Sequence, residues 1–260
     1  MTKIPEDCVL MLQSDMLNSL KGYVTNLKQT GSPLLSHPNF PRYIEDLKAY
    51  YRDGNAELLL AFTPFLDDKT FETPLDKYYF YQNTWAARKI FEIRPNQVVD
   101  VGSTALFVGI ISQCIPTVSI DVRPLSVSLP GLVCKRGTIT DLPFEDASVE
   151  FLCSLCVIEH VGLGRYGDTI DTQGSVKAFH EVSRVIKKGG HFLFSVPLSH
   201  TPSLCFNAHR IFSKTQVLSL LPGFTLHEEQ FFFPEAGNET DVAGIQGAQF
   251  CVWCAHMIKN

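Results

Sequence analysis

The spacing of apolar residues changes near residue 97. Before that point LNSLKGYVTNLKQ (17–29), RYIEDLKAYYRDGNAELLLAF (42–62) and DKYYFYQNTWAARKIFEI (76–93) place them three and four apart, which predicts helices. Pro33, Pro38 and Pro41 punctuate the link between the first two, and Pro95-Asn96 stops the third. Beyond it, short apolar runs alternate with amphipathic ones. VVDV (98–101), TVSIDV (117–122), GLVCKRG (131–137), VEFLCSLCV (149–157) and HFLFSVPL (191–198) read as strands. LFVGIISQC (106–114), SVKAFHEVSRVIKK (175–188) and SKTQVLSLL (213–221) read as helices. The second of these is expected to stop at Gly189-Gly190, and the third to start on Ser213 as its N-cap. FTLHEEQFFF (224–233) and QFCVWCAHMI (249–258) close the chain as two extended runs without a helix between them. The alternation implies an α/β fold, a mostly parallel sheet covered on both faces, and the closing pair implies an antiparallel hairpin at one edge. Residues 1–77 read as an N-terminal helical extension and 78–260 as the main domain.

Composition narrows the classes of function. With 260 residues, 45% of them hydrophobic, the chain can close one large core. The formal charge of −5 offers no general attraction to nucleic acid or to an anionic membrane. No charged and then apolar leader opens the sequence, and no apolar run reaches spanning length, so the expectation is a cytoplasmic protein without membrane insertion. Two CxxC pairs, Cys153–Cys156 and Cys251–Cys254, sit inside apolar runs. Residues three apart on a strand point to opposite faces, so these read as core thiols and no metal is expected.

The stretch VVDVGSTALF (98–107) carries the first chemistry. It begins as a nucleotide-binding strand and turn but lacks the further glycines of G-x-G-x-x-G, whose backbone approaches a pyrophosphate. Asp121 ends the next strand, where a carboxylate can accept hydrogen bonds from the two hydroxyls of a ribose. A nucleoside without phosphates, joined to an amino acid, suits such a loop, and S-adenosylmethionine is a ligand of that kind. The small Ser103 beside Gly102 leaves room for its methionine end.

Residues 137–161 and RVIKKGGHFLFSVP (184–197) resemble class I S-adenosylmethionine-dependent methyltransferases. The resemblance implies a Rossmann-like, doubly wound sheet of seven strands. It implies that Thr138 and Ile139 edge the adenine and that Ser154 closes the methionine end; Val122, next to Asp121, is a further cofactor-binding candidate, as is Gln82 on the third predicted helix. A narrower resemblance covers YYFYQNTWAARKIF, VDVGS, IDVRPL, IEHVGLGRYGD and FNAHRIF. These blocks are similar to those of a poorly characterised methyltransferase subgroup associated with bacterial surface-polysaccharide genes, which implies a sugar or nucleotide-sugar acceptor.

Methyl transfer to an alcohol needs alignment and a base for the departing proton. The candidates are Glu159, His160, Asp168 and His209, all in segments that follow the later strands. Arg165, Tyr166, Asn207 and Arg210 are the candidates for acceptor binding, since two guanidiniums can clamp a phosphate or carboxylate. Other roles stay open for several of these. Glu159 can pair with Arg165, His160 can bond within its own turn, and Asp168 can close an Asx turn. Tyr79, Phe80 and Gln82 can close over the cofactor, with core packing as the other reading of the two aromatics. His180 and His191 read as structural. A binding or scaffold subunit that keeps the fold without catalysis is the alternative to an enzyme. A nicotinamide oxidoreductase is disfavoured by the missing glycines, and a homo-oligomer stays open.

Overall fold

The computed structural model describes residues 6–52, 61–233, 237–239 and 250–260. Of the helix expected over 42–62, residues 53–60 lie outside these, as does Gln249, and Ala61 and Phe62 are not helical. The chain divides into two compact units, Met1–Pro74 and Leu75–Asn260. The first contains α1 (Glu6–Gln29), a 3-10 turn at Pro33–Ser36 and α2 (Phe40–Arg52). Two small apolar clusters hold it, Met16 and Leu20 with Tyr51, and Leu27 and Phe40 with Leu66.

The second unit starts with α3 (Lys77–Ile93), capped by Asp76 through the Tyr79 amide. Next come β1 (Val98–Val101), α4 (Ala105–Ser112), β2 (Thr117–Asp121), β3 (Leu132–Arg136) and β4 (Val149–Leu155). They are followed by α5 (Gly174–Val185), β5 (Ile186–Leu198), β6 (Ser203–Cys205), β7 (His209–Ile211) and α6 (Lys214–Ser219). The chain closes with β8 (Phe224–Phe233), β9 (Gly237–Glu239) and β10 (Cys251–Lys259). The main sheet runs β3-β2-β1-β4-β5-β10-β8-β9. From β3 to β5 all neighbours are parallel, and β10 is antiparallel to both β5 and β8.

This is the doubly wound α/β sheet the alternation predicts, with seven longer strands and the three-residue β9 beyond them. The last strand inserts between β5 and β8 instead of lying outermost. Seven successive buried positions on β10, Cys251 to Met257, explain why: both its faces are covered. Side-chain alternation divides the core. Leu152, Phe192, Phe194 and Trp253 pack on one side of the sheet with Phe179 of α5. Phe151, Cys153, Leu193 and Cys254 pack on the other with Trp85 of α3 and Phe107 of α4. Cys251 and Cys254 accordingly fall in different halves of the core.

Two local expectations are corrected. α5 stops at Val185, because Ile186 is already extended and pairs with Val149. Gly189-Gly190 lies inside β5, where the register with β4 shifts. Gly189 has φ +72°, and a Cβ on Gly190 would meet Lys187 O at 2.8 Å, so the glycines form an irregularity in a strand instead of a helix cap. The segment of His209, expected only to follow a strand, contains the small β6–β7 hairpin.

Imidazoles from three strands meet on the sheet. His191 Nδ1 and His256 Nε2 share a 2.8 Å hydrogen bond, and the His227 ring lies 5.0 Å from that of His256. His227 stands at a bulge, since Glu228 pairs with His256 and Leu226 with Met257. Burial, with His191, His227 and Lys89 around it, drives His256 down to about 4. A folded-state pKa below the ordinary value means stability that is present above pH 6.5 and lost as pH falls towards 4. Thermal denaturation across that range is expected to show a falling midpoint, with a shallower fall in His256→Gln. An identical slope in the variant would contradict this assignment.

Candidate functional site

The strand order reverses between β1 and β4, and in open α/β sheets ligands bind beyond the carboxyl ends of the strands at such a point. A cavity of about 490 Å³ opens there. Such a volume lies within the span of roughly 300–1,000 Å³ common to small-molecule sites.

Its walls come from short segments that each follow a strand. After β1, Gly102, Ser103 and Thr104 form the turn into α4. Gly102 has φ +72°, and a Cβ there would meet Val157 Cγ1 at 3.0 Å and Cγ2 at 3.1 Å. Only glycine suits both the backbone and the space. The Ser103 amide donates to Asp100 Oδ1 at 3.1 Å, and the Ser103 hydroxyl accepts from the Leu155 amide at 3.1 Å. A single small residue thus ties the β1 turn to the end of β4. Asp100 is buried with Oδ2 lacking a hydrogen-bond partner among the described residues, and burial raises it to about 7.

After β2, the wall contains Asp121, Val122 and Arg123, and Asp121 Oδ1 accepts from the Arg123 amide at 2.7 Å. After β3 it contains Thr138 and Ile139, with the Thr138 and Thr140 hydroxyls 2.9 Å apart. After β4 it contains Cys156, Val157 and His160, then Tyr166 and Asp168 of the glycine-punctuated loop. Tyr79 of α3 completes the lining.

His160 Nδ1 lies 2.6 Å from Ala208 O. A carbonyl oxygen only accepts, so Nδ1 carries the proton and Nε2 holds a lone pair. Burial lowers His160 to about 4, and the imidazole is neutral at pH 7. Its neighbour Glu159 has Oε1 3.8 Å from His160 Nε2 and a buried Oε2 without a hydrogen-bond partner among the described residues. Burial raises Glu159 to about 8, so this carboxyl is largely protonated at neutral pH. Asp168 behaves differently. Burial alone would raise it, but the amides of Tyr166, Gly162 and Gly164 donate to its oxygens and hold it below the usual carboxylate range. It organises the loop, as its Asx-turn reading anticipated, while lining the cavity.

The structure brings Gly102, Ser103, Asp121, Val122, Thr138, Ile139, His160, Tyr166 and Asp168 to one cavity. The other candidates are not on its walls, for identifiable reasons. Ser154 is fully buried and donates to Val101 O at 3.0 Å, joining β4 to β1. Gln82 is fully buried behind Cys156, its Oε1 accepting from Cys156 Sγ at 3.0 Å and Ser195 Oγ at 2.8 Å. Arg210 staples the loop after β4, donating to Val161 O, Ser175 Oγ and Asp171 O. His209 packs against Phe250 and the edge of His160, with Nε2 unpartnered among the described residues. Asn207 is exposed between β6 and β7, and Glu159 stands behind His160. Arg165 is exposed, its Nη1 donating to Ala208 O at 3.1 Å. Tyr79 and Phe80 are exposed instead of packed in the core, and of the two Tyr79 is on the cavity wall. Arg123 was missed, although it stands two residues beyond Asp121. Its importance depends on Tyr166, whose Cζ-to-ring approach of 4.4 Å no local pattern announces.

A family model described as "Caenorhabditis protein of unknown function, DUF268" matches residues 143–239, and that description carries no connection to polysaccharide genes. No curated protein matches the chain. Among solved structures, geranyl diphosphate methyltransferase in complex with S-adenosylmethionine is 12% identical with a TM-score of 0.52, over 69% of this chain and 85% of that one. A putative sarcosine dimethylglycine methyltransferase from Galdieria sulphuraria is 12% identical with a TM-score of 0.50, over 70% and 85%. MccD protein is 14% identical with a TM-score of 0.50, over 69% and 96%. At such identities the likeness is one of fold, and the chain has the Rossmann-like fold of these methyltransferases.

Proposed function

We propose that this protein is an S-adenosylmethionine-dependent methyltransferase that methylates a hydroxyl of a sugar or nucleotide-sugar. The observation that carries the reading is the pairing, around one cavity, of a strand-end carboxylate, Asp121, with a turn that only glycine can make, Gly102. The residues fit the cofactor. Gly102 keeps the backbone of the turn bare beside Val157 on the cavity wall, and Asp100, two residues earlier, has a buried Oδ2 without a hydrogen-bond partner among the described residues. Asp121 would hold the ribose hydroxyls, Val122, Thr138 and Ile139 the adenine, and Gly102 and Ser103 the methionine end. When bound, the cofactor supplies a methyl group on a sulfonium, an electrophile that needs alignment more than activation.

His160 is the base in this reading. Its Nδ1 is committed to Ala208 O, so Nε2 is the atom that takes the proton lost by the acceptor hydroxyl. Glu159, protonated beside it, leaves the imidazole neutral and ready to accept. Tyr79 and Tyr166 bound the space an acceptor would enter. The polysaccharide setting rests on the narrower sequence resemblance alone.

Incubation of the full chain with methyl-labelled S-adenosylmethionine and a panel of sugar nucleotides tests the proposal. Label is expected to appear on at least one acceptor. Tight binding of S-adenosylhomocysteine without transfer to any sugar would favour a binding subunit, and absence of that binding would refute the cofactor assignment.

A further inference from the structure

At the rim of the cavity stand two arginines that no carboxylate bridges among the described residues. Arg123, at the end of β2, has its guanidinium carbon 4.4 Å from the centre of the Tyr166 ring. Arg165, next to that tyrosine in the loop after β4, has its own at 5.1 Å. Guanidinium groups stack on aromatic faces, so one ring orders both cations. Arg165 is steadied further by Ala208 O, the carbonyl that also fixes His160. His160, Arg165, Tyr166 and Arg123 therefore form one connected stretch of the rim.

Arg184 is neutralised by Glu181 and Asp146, and Arg88 by Glu92 and Glu228, while Arg52, Arg94, Arg136 and Arg210 form no salt bridge among the described residues. Among the described residues, no carboxylate forms a salt bridge with Arg123 or Arg165. The nearby Asp168 has both oxygens occupied by backbone amides, and Glu159 is mostly protonated at neutral pH. Both residues are exposed, and apart from the Arg165 Nη1 that donates to Ala208 O, no hydrogen bond engages their guanidinium donors among the described residues.

We infer that the methyl acceptor carries a phosphoryl group, bound at the rim by Arg123 and Arg165 around Tyr166, while its hydroxyl reaches His160. This rests on the methyltransferase reading and narrows it, from sugars in general to phosphorylated ones. A single carboxylate has two oxygens and is satisfied by one guanidinium fork. Two forks suit the several oxygens and higher charge of a phosphate or diphosphate. The sequence-based pairing of Arg165 with Arg210 is replaced here by Arg165 with Arg123, because Arg210 is consumed by the loop it staples.

The test titrates the full chain, saturated with S-adenosylhomocysteine, with inorganic pyrophosphate, using malonate as a dicarboxylate control. Pyrophosphate is expected to bind at least about tenfold more tightly than malonate. Arg123→Gln and Arg165→Gln should each weaken pyrophosphate by about tenfold or more while changing S-adenosylhomocysteine affinity by less than about threefold. Binding should also weaken as salt is raised, since the site is exposed. Failure of pyrophosphate to bind, equal binding of malonate, or indifference to both substitutions would overturn the inference. If S-adenosylhomocysteine binds and pyrophosphate does not, only this inference falls. Arginine-dependent pyrophosphate binding in a chain that takes no S-adenosylhomocysteine would support the phosphoryl site and contradict the cofactor reading.

Discussion

Asp121→Ala is expected to weaken S-adenosylhomocysteine binding by about a hundredfold to ten-thousandfold. A carboxylate that accepts from two vicinal hydroxyls makes two hydrogen bonds to a charged group, each of about 1.5–3 kcal/mol. Every 1.4 kcal/mol is about tenfold in affinity, which gives that range. The side chain is held ready for the task, because its Oδ1 already accepts from the Arg123 amide at 2.7 Å. Among the described residues that is the one hydrogen bond of the Asp121 side chain, and losing its charge relieves a repulsion with Asp100, so the melting temperature should move little. Isothermal titration calorimetry reads the affinity directly. An affinity within about threefold of wild type would remove Asp121 from the ligand.

The second large effect concerns His160. His160→Asn should lower the rate of methyl transfer by about a hundredfold to ten-thousandfold, the usual contribution of a positioned base. Asparagine retains a donor where Nδ1 meets Ala208 O, so the loop is preserved while the Nε2 lone pair is lost. S-adenosylhomocysteine binding should change far less than the rate. The pH profile carries an independent signature. With His160 lowered to about 4 by burial, the base is already in its working form at pH 6, and the limb due to it should appear only as pH approaches 4. An unchanged rate in the variant would shift the base to another residue.

Periodicity and strand-end position made much of this site legible. Asp100 and Asp121 end successive apolar runs, and parallel pairing of β1 with β2 then fixes them at the same end of the sheet. The single glycine at 102 announced a turn whose close contact is Val157, 55 residues away in a strand-end segment that was also recognised. What stayed hidden was the partner of each polar side chain. Arg210 looks like a ligand-binding arginine until its carbonyl partners Val161 and Asp171 come into view. Ser154 and Gln82 carry polar groups that serve hydrogen bonds inside the core. Gly189-Gly190 satisfies the pattern of a helix end, yet pairing with β4 claims Ile186 first. Tertiary context decides such cases, since the competing local and long-range bonds involve the same residue types.

The most direct measurement is a crystal structure of the full chain bound to S-adenosylhomocysteine. Our account places both ribose hydroxyls within about 3 Å of the Asp121 carboxylate, a normal hydrogen-bond length, with the amino-acid tail bending past Gly102. A ligand seated elsewhere, or an empty crevice with Asp121 turned away from it, would contradict that account.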